Sequence, residues 1–70
     1  MDGYRGGLRG TVVTIAEAAI ATVKSTDEKV AMEAMTAFER KVVHDEVLAA
    51  GLVSESEGVE PQRHVVILPA

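Results

Sequence analysis

Thr36-Ala37-Phe38-Glu39-Arg40-Lys41-Val42-Val43-His44-Asp45-Glu46-Val47-Leu48-Ala49-Ala50-Gly51 carries its own start and stop signals. Thr36 and Glu39 make the Thr-x-x-Glu pattern of a capping box, in which hydroxyl and carboxylate each satisfy an orphan backbone N–H of the first turn. Gly51 suits the left-handed position that follows a helix C-terminus. The stretch therefore predicts a helix over residues 37–50. Its apolar positions fall in two stripes: Phe38, Val42 and Ala49 in one, and Val43, Val47 and Ala50 in the other. Glu39 and Glu46 lie between them, and periodicity alone leaves open which stripe meets the core.

Outward from this helix, the chain alternates element and turn. Upstream, Leu8, Val12, Ile15, Ala16, Ala19, Ile20 and Val23 recur at three- and four-residue intervals, one face of a helix. The β-branched run 11–15 competes as a strand, but the alanine-rich continuation to Ala21 favours helix, and Lys24 suits its C-terminal dipole. Gly6 and Gly7 loosen the chain ahead of Leu8. Residues 25–28 read as a polar turn and 30–32 as a short strand. Downstream, residues 52–56 form a plausible strand, 57–61 supply loop chemistry, and 62–68 are the strongest strand. With Val65 and Ile67 on one face and Val66 and Leu68 on the other, that last strand reads as central. Two strands joined by a short loop pair antiparallel. The order α-β-α-β-β predicts an α+β fold, a small three-stranded, mainly antiparallel sheet with two helices packed on one face.

Composition bounds the function. Seventy residues make one small domain, residues 1–70, and 47% hydrophobic with 26% charged residues is globular composition. With no cysteine, neither a disulfide framework nor a thiolate metal site is available. Aromatics amount to 3%, Tyr4 and Phe38, which excludes a base-stacking sheet. The formal net charge of −4 argues against a generally basic coat. No apolar run approaches the ~20 residues of a membrane span, so no membrane insertion is expected. The first residues lack the apolar core of a signal peptide, and a cytoplasmic protein is the expectation.

Three cations stand apart from sequence-local acids. Arg40 and His44 are spaced i, i+4 on the predicted helix, so they share a face, and neither has an acid three or four positions away within it. Arg63 opens the predicted last strand with Pro61 and Val65 as its same-face neighbours. The bland alternatives are a solvated helix face and an arginine paired across the hairpin with Glu55 or Glu57. Lys41 is a weaker candidate because Asp45 lies four residues on. Arg5 and Arg9 would oppose the dipole of the first helix, and a loose N-terminal segment accounts for them. No His-x-x-x-His or Glu-x-x-His spacing, nucleophile elbow, Walker loop or dinucleotide fingerprint is present. The expectation is a non-enzyme without cofactor, metal or small-molecule substrate.

The Arg40-Lys41-Val42-Val43-His44 motif resembles more than a charged helix face. Met35-Thr36-Ala37-Phe38-Glu39 before it, and Ser56-Glu57-Gly58-Val59-Glu60-Pro61-Gln62-Arg63-His64-Val65-Val66-Ile67 after it, are similar to the R-three-H domain. The narrower resemblance is to the C-terminal domain of bacterial Jag (SpoIIIJ-associated) proteins, and Asp2-Gly3-Tyr4-Arg5 extends it over nearly the whole chain. The resemblance implies a single-stranded nucleic-acid-binding module with helices on a three-stranded sheet. It implies a C-terminal fragment of a longer protein in which an RNA-binding KH domain precedes this one. Partnership with a small KH-domain protein and a link to cell-envelope growth are also implied. Arg40 and His44 match the motif pair, and Arg63 matches the arginine that opens the last strand. The sequence departs from the pattern at Thr36-Ala37, where the family shows Asn-Pro, at Lys41, where it shows arginine, and at His64, the second of an Arg-Arg pair. The last two changes lower fixed positive charge or bidentate capacity.

The resulting expectation is that Arg40, His44 and Arg63 converge on one surface, with Lys41 and His64 beside them, and contact phosphates of single-stranded RNA or DNA. The arginines supply charge, and His44 donates a hydrogen bond and gains charge at lower pH. Few cations imply weak binding by the isolated domain. Two other readings remain open: a protein–protein interaction domain, and a structural domain supporting a neighbouring KH domain.

Overall fold

The computed structural model describes the backbone of residues 2–70 and the side chains from Gly10 onward. Helix α1 spans Asp2–Thr26, strand β1 Val30–Ala31, helix α2 Ala37–Ala49, strand β2 Val53–Glu57 and strand β3 His64–Leu68. The expected element order and α+β class are both present. Helix α1 starts at Asp2 rather than at Leu8. The side chains of Tyr4, Arg5, Leu8 and Arg9 lie outside the described residues, so the reading of the Arg5–Arg9 pair falls there too.

Helix α1 buries Val12, Ala16, Ile20 and Val23, part of the stripe at three- and four-residue intervals anticipated from the sequence, while Ile15 stays exposed. It ends where Asp27 turns left-handed (φ 59) and donates its backbone N–H to the Val23 carbonyl at 2.8 Å. Helix α2 begins on a complete capping box. The Glu39 N–H donates to Thr36 Oγ1 at 3.2 Å, and the Thr36 N–H donates to Glu39 Oε1 at 2.8 Å. It ends in a Schellman motif, with Gly51 N–H bonded to the Leu48 carbonyl (3.0 Å) and Leu52 N–H to the Val47 carbonyl (3.1 Å). Gly51 adopts φ +80, which a side chain would resist. Leu52 and Val47, the two residues bridged by that outer bond, both join the core.

The core settles which α2 stripe is inward. Val43 and Val47 are fully buried and Val42 nearly so, whereas Phe38, Leu48 and Ala49 are exposed. The sheet order is β1-β3-β2 and both pairings are antiparallel, so β3 is the central strand. Two strands differ slightly from their sequence boundaries: β2 runs one residue later, and β3 starts at His64, leaving Arg63 just ahead of it.

The register divides the sheet into two faces. Val65 and Ile67 pair with Ser56 and Ser54 and pack into the helix-side core. Ala31, Val53, Glu55, Glu57, His64, Val66 and Leu68 share the opposite face. Val66 is buried there between its two strand neighbours, while Val53, Glu55 and Glu57 remain exposed.

Candidate nucleic-acid interface

Arg40 sits near the start of α2 and is the buried charged residue of the described chain. Burying a guanidinium is costly unless its donors are satisfied. Here Nη1 donates to the Met35 carbonyl at 2.7 Å and Nη2 donates to Glu60 Oε2 at 3.0 Å. The side chains are unequally placed, Arg40 at 10% exposure and Glu60 at 63%. Arg40 therefore ties the start of α2 to two other segments, the stretch after β1 and the β2–β3 loop.

Met35 links Arg40 to Arg63. Its carbonyl accepts from the Arg40 guanidinium, and its N–H donates to the Arg63 carbonyl at 3.2 Å. One peptide residue thus ties the Arg40 guanidinium to the backbone of Arg63. Arg63 itself is exposed, and no acid lies within ion-pair distance of it among the described residues. The pairing with Glu55 or Glu57 allowed by the sequence is not formed, because both acids lie on the opposite sheet face. The loop that delivers Arg63 turns at Gly58 (φ +90), where a Cβ would stand 3.1 Å from the Gln62 carbonyl oxygen.

One turn along α2 from Arg40, the His44 ring spans strand β2. Nδ1 lies 2.6 Å from Ser54 Oγ and Nε2 3.1 Å from Ser56 Oγ. A hydroxyl both donates and accepts, so both nitrogens are partnered in either neutral tautomer and in the imidazolium. Lys41 is exposed and reaches Asp45 at 3.4 Å, the i, i+4 pair expected from spacing. His64 is not brought to this group. It lies on the other face of the sheet, and its Nδ1 is 3.1 Å from the Gln62 carbonyl oxygen.

This geometry sits on a known domain pattern. A model of the R-three-H domain matches residues 10–69. The chain belongs to the R-three-H family. The RNA-binding protein KhpB of Clostridium symbiosum is 34% identical over 67 residues, which cover 94% of this chain and 30% of that protein. The chain thus spans less than a third of that relative's length.

In this R-three-H domain the motif pair is not two bare cations on a helix face. The arginine is clamped by a carbonyl and a carboxylate, and the histidine by two hydroxyls. Sequence reasoning passed over Glu60, Ser54 and Ser56. The serines had a readable signal, since alternate strand positions put two hydroxyls on one face. Glu60 stands in the downstream motif run, but its pairing with Arg40 had no local signal, because it lies twenty positions away and meets Arg40 only through the fold. Among the described residues no cluster of His, Cys, Asp or Glu could hold a metal ion, and no helix is long and apolar enough to cross a membrane.

Proposed function

We propose that this R-three-H domain binds single-stranded nucleic acid, RNA foremost, through its phosphate backbone at the Arg40–Arg63 corner. The observation that carries the reading is Arg63: exposed, without an acid at ion-pair distance among the described residues, and bonded through its backbone carbonyl to the same Met35 residue that accepts from the motif arginine. Its planar fork matches phosphate oxygens. Lys41 adds exposed charge one residue from Arg40, and His44 orients the Ser54 and Ser56 hydroxyls as further polar groups. His64 is the outlying member, reached only around the edge of the sheet. The relative's description as an RNA-binding protein supports RNA as the ligand class.

The net charge of −4 keeps binding weak and local. Function in the cytoplasm, next to a KH domain and with a small KH-domain partner, belongs to the same proposal, as does a binding rather than a catalytic role. Titration of a labelled single-stranded oligoribonucleotide against the domain and its Arg63→Ala variant tests it. The variant should bind several-fold more weakly, with a salt slope shallower by about 0.7, the contribution of one single-strand phosphate contact. Equal affinity and equal slope would remove Arg63 from the site.

A protein-docking reading has one observation in its favour, the exposed Val53 on the sheet face away from the core and the exposed Val59 of the β2–β3 loop. Binding of that kind would survive added salt, whereas phosphate contacts weaken steeply.

A further inference from the structure

The carboxylate on Arg40 stands where an anionic ligand would stand. Glu60 Oε2 accepts one N–H of the guanidinium at 3.0 Å, and that is the carboxylate's one hydrogen bond among the described residues. We infer that Glu60 is an internal competitor for the phosphate site: a backbone phosphate engages Arg40 by displacing the Glu60 carboxylate. The inference rests on the phosphate-binding reading above and specifies how its buried arginine becomes available.

Three features make the carboxylate the exchangeable partner. First, the guanidinium is held independently. Its bond to the Met35 carbonyl, at 2.7 Å, remains when Glu60 leaves, so Arg40 keeps its position at 10% exposure. Glu60, at 63% exposure, swings into water without uncovering the core, and a carboxylate so exposed is held only weakly by one ion pair.

Second, the incoming group is the better ligand. A phosphodiester presents two anionic oxygens to the fork, where Glu60 uses one oxygen on one nitrogen.

Third, Arg63 lies three positions beyond Glu60 in the same loop and is anchored through Met35. A phosphate in the vacated place therefore lies close along the chain to a second, exposed arginine that Glu60 does not pair with. Until exchange occurs, Glu60 both cancels the Arg40 charge and repels the approaching strand.

The test compares the domain with Glu60→Gln and Glu55→Gln. Both variants remove one negative charge, but Glu55 lies on the opposite sheet face and touches neither arginine. Affinity for a fluorescein-labelled single-stranded oligoribonucleotide is read by anisotropy, alongside Arg63→Ala. Glu60→Gln should bind about two- to five-fold more tightly, the factor corresponding to release of one exposed ion pair. Glu55→Gln should bind as the unaltered domain does. If Glu60→Gln binds equally or more weakly while Arg63→Ala still loses affinity, the competitor role is overturned and the phosphate site stands. Equal tightening by both glutamine variants also overturns it, since general charge then accounts for the effect. Absence of binding by every protein, the unaltered domain included, ends the phosphate reading and this inference together. Thermal melts confirm that each variant is folded. If Glu60→Gln melts, Glu60→Asp, which keeps the charge but shortens the reach to Arg40, takes its place with the same expected sign.

Discussion

The His44 imidazole is held at both ends, by Ser54 at 2.6 Å and Ser56 at 3.1 Å. On the sequence it resembled a ligand-ready side chain; in the fold it is a brace between α2 and β2. Ser54→Ala takes away the shorter of the two bonds and leaves a half-buried ring nitrogen short of a partner. Urea denaturation should show a loss of about 1 kcal/mol for that variant, the net worth of one intramolecular hydrogen bond. Arg40 presents the same contrast. Spacing puts it one turn from His44, but its Met35 carbonyl and Glu60 partners come from segments outside the helix. Arg40→Met would leave the Met35 carbonyl without its guanidinium donor, while the exposed Glu60 carboxylate turns to water, so it should lower stability by about 1–3 kcal/mol in the same titration.

Among the elements, α2 was the most legible because its signals are local. A threonine hydroxyl reaching the N–H three residues on, and a glycine accepting positive φ, need nothing beyond the helix itself. These features also make it the element with the most definite mutational expectations. Thr36→Ala removes the cap and one half of the box, at about 1 kcal/mol, and Gly51→Ala forces a side chain into φ +80 at a similar cost. Each should lower Tm by about 4–8 °C, as calorimetry on a domain of this size would record. What α2 did not reveal was its inward face. Two competing apolar stripes are resolved only by contact: Val43 and Val47 join the core cluster with Val65 and Ile67, and of the other stripe Val42 alone does so. The strand ends were blurred for a related reason. A strand ends where its partner's ladder ends, so β3 begins at His64 opposite Glu57, not at the first residue of its apolar run.

Over the whole molecule, the described core is an aliphatic cluster spanning both helices and the sheet. Ile67 is fully buried on the central strand, and its Cα is paired with both Val30 and Ser54. Ile67→Ala should therefore cost about 2–5 kcal/mol, and in so small a domain a denaturant titration should find little native state left. Apolar patterning and capping chemistry were sufficient for the class, the order of elements and the central place of β3, since each follows from periodicity or from chemistry a few residues wide. The Arg-x-x-x-His spacing with its downstream Ser-Glu-Gly-x-Glu-Pro-x-Arg run was sufficient for the R-three-H family. Which cations are open was not legible. Along the chain Arg63 has acids within reach of a hairpin pairing and Arg40 has none three or four positions away within its helix, yet Arg40 is buried against Glu60 and Arg63 stands in solvent without an acid at ion-pair distance among the described residues. An ion pair depends on separation in space, and a loop that folds back over a helix brings together charges twenty positions apart that no local pattern connects.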